Sequence, residues 1–151
     1  MKRRAVTKSR LRGSATLRRV AWFRYRLRRF LRFSERAARY CGVTPQQHQL
    51  LLGIAGYTGR GWATISELAE FLQGRHNAVV GLVQRAEQRG LVAKEPGARD
   101  KRFVRVHLTR QGAETLEKLT WMHLEELRGL RAHILKNSKV RPQGIPAAQG
   151  A

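Results

Sequence analysis

Apolar residues recur at helical intervals through most of the chain and alternate in only a short stretch. From Ser14 onward, Val20, Phe23, Leu27, Leu31, Ala38 and Cys41 fall near one face of a long helix, while Arg18, Arg19, Arg26, Arg29, Arg32 and Arg36 fill the rest. Gly42 suits the C-terminal stop of that helix, and Thr44-Pro45 opens the next with a capping hydroxyl and a proline in the first turn. The run QQHQLLLGIAGY predicts a second, largely apolar helix, broken at Thr58-Gly59-Arg60-Gly61.

Thr64-Ile65-Ser66-Glu67 has the spacing of a capping box, in which Thr64 caps a short helix and Glu67 reaches back to it. That helix is predicted over 65–72, with Leu68, Ala69 and Leu72 inside. After the turn Gln73-Gly74-Arg75 comes another, with Val79, Leu82, Val83 and Ala86 inward and Arg75, His76, Asn77, Gly81, Gln84 and Arg85 outward. Two short helices joined by a tight turn form a helix-turn-helix. Gly90 ends the second, and residues 91–95 and 103–108 read as strands of a hairpin joined by the loop PGARDKR. Thr109 caps a last long helix, along which Leu116, Leu119, His123, Leu127, Leu130 and Ile134 recur at three and four residues, a stripe suited to a partner helix. The expected fold class is therefore mainly α with a small β-hairpin wing, an α+β winged helix-turn-helix.

Composition narrows the function. With 151 residues, 42% of them hydrophobic, the chain suits one domain with a core. Residues 1–13 read as a flexible basic arm, 14–136 as the domain and 137–151 as a flexible tail. Lys and Arg number 31 against 10 Asp and Glu, and the net charge of +21 asks for an anionic partner, nucleic acid first. No apolar run has the length of a signal or spanning segment, so a cytoplasmic location without membrane is expected. The single cysteine, Cys41, excludes an internal disulfide, and the five scattered histidines lack metal-ligand spacing, so neither metal nor cofactor is expected. No nucleophile-base pairing, phosphate-binding glycine loop or carboxylate pair points to an enzyme.

Thr64, Glu67-Leu68-Ala69, Leu72, Val79, Leu82-Val83, Arg85, Gly90-Leu91-Val92, Asp100-Lys101-Arg102 and the run Val106-His107-Leu108-Thr109-Arg110-Gln111-Gly112 together resemble the signature of MarR-type (multiple antibiotic resistance) regulators. The resemblance spans roughly residues 14 to 135, and its most specific part is a DxR wing followed by LTxxG. It implies a homodimeric regulator of transcription, with a winged helix-turn-helix over about 45–109 and dimerisation helices over about 14–41 and 110–136. It implies a repressor relieved by a small ligand or other signal, bound to a pseudo-palindromic double-stranded operator. A non-specific architectural nucleic-acid protein is the alternative that charge alone would allow.

On that resemblance Arg75, His76, Asn77, Gly81, Gln84 and Arg85 face the major groove, where Arg reads guanine and Asn or Gln reads adenine. Arg102 enters the flanking minor groove, aimed by an ion pair with Asp100, while Arg99 and Lys101 lie nearer the phosphates. Regulators of this type commonly bind small aromatic anions or respond to cysteine oxidation. Trp22, Tyr25, His48 and Tyr57 are the candidate lining of such a pocket, and Cys41 the candidate redox group.

Overall fold

The structure, a computed structural model, describes residues 14–97 and 103–137. Its helices are α1 (Ala15–Tyr40), α2 (Pro45–Leu52), α3 (Ile65–Leu72), α4 (His76–Gln88) and α5 (Arg110–Asn137). Three strands, β1 (Trp62–Thr64), β2 (Val92–Pro96) and β3 (Val104–Leu108), form one antiparallel sheet in the order β1-β3-β2. Of the described residues, those within 33–124 make one compact unit, and 14–32 with 125–137 make another; α1 and α5 contribute to both.

In the 33–124 unit, local chemistry sets where elements begin. The Thr44 hydroxyl accepts from the Gln47 amide at 3.1 Å while the Gln47 side chain accepts from the Thr44 amide at 3.0 Å, and Pro45 needs no donor in the first turn. The helix then widens into one π-helical turn, Gly53–Tyr57. A side chain on Gly53 would come within 2.7 Å of the Phe71 ring, so glycine there allows α3 to pack close. At α3 the capping box is present as expected: Glu67 accepts from the Thr64 amide at 2.8 Å, and the Thr64 hydroxyl accepts from the Glu67 amide at 3.3 Å.

The sequence pattern omitted β1. Its three residues are too few to show alternation, yet Trp62, Ala63 and Thr64 pair with His107, Val106 and Arg105 and give the hairpin a third strand. Around it Leu50, Leu51, Ile54, Leu68, Val83, Val92, Val106 and Leu119 are fully buried, so α2, α3, α4, the sheet and the first part of α5 share one core. A helix-turn-helix of α3 and α4 followed by the β2-β3 hairpin is a winged helix, mainly α with a small sheet, as the patterning predicts.

The LTxxG run has a physical reading. The Thr109 amide donates to the Leu91 carbonyl at 3.1 Å, its hydroxyl donates to the Gly90 carbonyl, and the same oxygen accepts from the Gly112 amide at 3.1 Å. A Cβ on Gly112 would fall 1.9 Å from the Leu91 carbonyl oxygen, so the first turn of α5 lies directly on the backbone that leaves α4. Gly90 holds φ +70, the left-handed stop that turns the chain from α4 into β2.

Candidate nucleic-acid interface

Four residues set the orientation of α4. Val79, Leu82, Val83 and Ala86 are buried, so the opposite side of the helix must face outward, and there His76, Asn77, Gln84 and Arg85 are exposed. Arg75 sits in extended backbone just before the helix, exposed, and its side chain does not cap the first turn. The first turn of α4 thus has no side-chain cap from the residue that precedes it. The connection from α3 is made by Gln73, at φ 52, and Gly74, whose amide returns to the Ala69 carbonyl.

Gly81 is half-buried beneath its neighbour: a Cβ there would meet the Arg85 guanidinium at 3.3 Å. Its absent side chain gives Arg85 a seat on the helix surface, a more specific role than close backbone approach to a ligand. Val80, half-buried beside Gln84, is a residue that sequence reasoning passed over, because patterning assigns a valine to the core. With Ser66, His76, Gln84, Lys94 and Phe103 it lines a hollow of about 410 Å³ between α3, α4 and the base of the hairpin. Such a residue supplies an apolar contact of the kind that reads a thymine methyl.

The hairpin base is closed by the Gly97 amide donating to the Phe103 carbonyl at 2.6 Å and by pairing of Pro96 with Val104. Arg99, Asp100, Lys101 and Arg102, the expected wing contacts, lie outside the described residues. Basic residues on the adjoining surface are engaged within the protein. Lys94 pairs with Glu87 at 2.8 Å. Arg60 and Arg105 stack on Trp62 at 3.9 and 4.4 Å, and Arg60 also pairs with Glu67. The Glu67 carboxyl is held below its usual range, first by the Thr64 amide and then by Arg60.

The candidate pocket residues have different surroundings. Trp22 and Tyr25, 55% and 43% exposed, meet edge to face with ring centres 5.4 Å apart. Tyr57 packs against Phe71, and a hydrogen bond with Glu70 pushes its phenol up. His48 is only 3% exposed and belongs to the core, its ring 5.0 Å from that of His123, which meets Phe33 edge-on. Burial, and secondarily His123, pushes His48 down to about 4, so it is neutral at neutral pH. Cys41 is half-buried with its sulfur 3.8 Å from that of Met122. Among the described residues no three His, Cys, Asp or Glu side chains gather to hold a metal ion, and no helix is long and apolar enough to cross a membrane.

Comparison with known proteins points the same way. Residues 42–102 match the MarR family. The HTH-type transcriptional repressor MdtR of Bacillus subtilis (strain 168) is 32% identical over 78 residues, 52% of this chain and 48% of the repressor, so the match spans about half that protein's length. Among solved structures, apo MarR from E. coli aligns with a TM-score of 0.63 at 22% identity, over 75% of this chain and 82% of that one. MepR, a transcription regulator of the Staphylococcus aureus multidrug efflux pump MepA, aligns with a TM-score of 0.65 at 20% identity, over 75% and 82%. A mutant E. coli MarR complexed with operator DNA gives 0.61 at 23%, over 77% and 80%. These structural likenesses establish the winged-helix fold, and residues 42–102 within it are similar to the MarR family.

Proposed function

We propose that this chain is a double-stranded DNA-binding regulator of transcription, acting as a homodimeric repressor on a pseudo-palindromic operator. The observation that carries the reading is the outward face of α4, where His76, Asn77, Gln84 and Arg85 stand exposed opposite a fully seated apolar face. That is the side-chain chemistry that reads base edges in a major groove. The repressor role is suggested by the match to MdtR and the operator by the DNA-bound MarR relative. In this reading Arg75 and the first amides of α4 take a phosphate, Arg85 is aimed from its seat on Gly81, and Arg102 enters the minor groove with Asp100 beside it.

Exposed Val20, Phe23 and Leu31 on α1 supply apolar surface for a second copy. The winged helix of about residues 45–109 then reads DNA, with the helices of about 14–41 and 110–136 joining two copies. Two α4 helices meet successive major grooves, with half-sites about 10 bp apart centre to centre.

Selection of the preferred site from a random duplex pool, followed by competition with random-sequence duplex at physiological salt, tests this function. Preference for the selected site by a factor on the order of a thousand or more is expected. A ratio below roughly tenfold would overturn the specific regulator in favour of a non-specific architectural binder, and binding by a monomer would overturn the palindrome.

A further inference from the structure

The described part of α1 in the smaller unit carries more positive charge than a helix holds without help. Arg18, Arg19, Arg24, Arg26, Arg28, Arg29 and Arg32 are all exposed, with no acidic residue before Glu35. Arg24, Arg28 and Arg32 follow at intervals of four, and Arg26, Arg29 and Arg32 at intervals of three, so like charges stand next to one another along the helix surface. Arg18 lies in the first turn, where the helix dipole disfavours a cation. Among the described residues no ion pair engages Arg24, Arg26, Arg28, Arg29 or Arg32. Helix formation alone would not select this arrangement.

Aromatic rings interrupt the charge at a telling place. Arg18, Trp22, Tyr25, Arg29 and Arg32 follow at spacings of four, three, four and three, which sets two exposed rings inside the arginine stripe and away from the apolar face of Val20, Phe23, Leu27 and Leu31. The rings stand at 83° to one another and with Ala21 line an apolar notch of about 230 Å³. A solvated basic surface has no use for these rings.

We propose that this stripe of α1 is a second nucleic-acid surface, which binds single strands by stacking unpaired bases on Trp22 and Tyr25 while the flanking arginines hold the phosphates. Alternating stacking platforms and cations are what a single strand needs, since every base has a π-face and the backbone repeats its charge. A duplex keeps its bases stacked inside and would leave the rings unused. A second copy of this stripe would oppose arginine to arginine, so self-association belongs to the apolar face. The segments 1–13 and 138–151 contain no acidic residue and cannot neutralise it. An anionic bilayer would draw in the apolar face, and Leu27 of that face is already half-buried in the protein.

The test uses the full chain and fluorescent fifteen-nucleotide single strands, oligo-dT and oligo-U, beside a random duplex and vesicles of phosphatidylserine and phosphatidylcholine. Trp22→Ala with Tyr25→Ala is expected to weaken single-strand binding roughly tenfold or more, and to change duplex binding less than twofold. The two single strands distinguish a DNA from an RNA partner. Trp22→Phe, which keeps a stacking face, should retain most of the affinity. Arg29→Gln with Arg32→Gln should lower the salt dependence of single-strand binding; this pair carries the test if the aromatic variant changes oligomer mass or melting temperature. Equal losses on duplex and single strand, an unchanged affinity in both sets of variants, or tighter binding to vesicles than to either strand would overturn the proposal. None of these results depends on whether α4 recognises an operator, so the two readings fail separately.

Discussion

Gly112 shows how a motif residue acts through space it leaves empty. The Leu91 carbonyl lies where its side chain would be, and that carbonyl is already held by the Thr109 amide. Backbone on both sides cannot yield cheaply, unlike the end of a flexible side chain. Gly112→Ala should therefore destabilise the protein by about 3 kcal/mol, seen as a lower urea midpoint at unchanged slope; a shift of only a few tenths would show that α5 slides freely on this junction. The LTxxG pattern was legible in the sequence, whereas its cause was not, because the carbonyl that demands glycine belongs to a residue far back in the chain. The same holds for His48 and His123: helical periodicity placed His123 inward, but no local pattern reveals that the two imidazoles share one pocket of the core.

At the scale of elements, α4 joins two demands that pull apart. Its apolar residues settle orientation, and both Gly81 and Ala86 are unusually small. Ala86 is fully buried, a close fit against the core, whereas Gly81 leaves the helix about 1 kcal/mol weaker than alanine would. Among the described residues, and apart from the helix's own backbone, a new Cβ at Gly81 would meet the end of the Arg85 side chain, at 3.3 Å. Gly81→Ala should thus raise stability by up to about 1 kcal/mol in thermal unfolding while lowering affinity for the selected operator, because Arg85 loses its seat. Gain or retention of both properties would remove Gly81 from the DNA-reading role. Long elements with strong periodicity were readable from sequence to within a residue or two, as was the α3 capping box. Strand β1 was not, since three residues after a glycine-rich break carry no period and depend on β3 for their pairing.

Across the whole molecule, pH acts first through His48. Its folded-state pKa, about 4, lies below its ordinary value of 6.5, so folding favours the neutral ring. The associated stability is complete above about pH 6.5 and is lost as pH falls from there toward 4, reaching about 3 kcal/mol. Glu67, whose pKa is lowered from 4.5, adds its own loss only below that value. Urea unfolding followed from pH 8 to 4 should show a midpoint steady above neutrality and falling between pH 6.5 and 4.5. His48→Phe should flatten that interval; an identical fall in the variant would place the proton uptake elsewhere.

The junction at Leu91 also bears on how the winged lobe opens. One amide, that of Thr109, is secured by a carbonyl at the exit of α4, sits between the end of β3 and the start of α5, and shares its residue with two side-chain hydrogen bonds. Its hydrogen exchanges with solvent when this contact between the end of α4 and the start of α5 opens. Its exchange rate thus measures the free energy of opening at this junction, and any ligand that holds α4 in place would slow this amide.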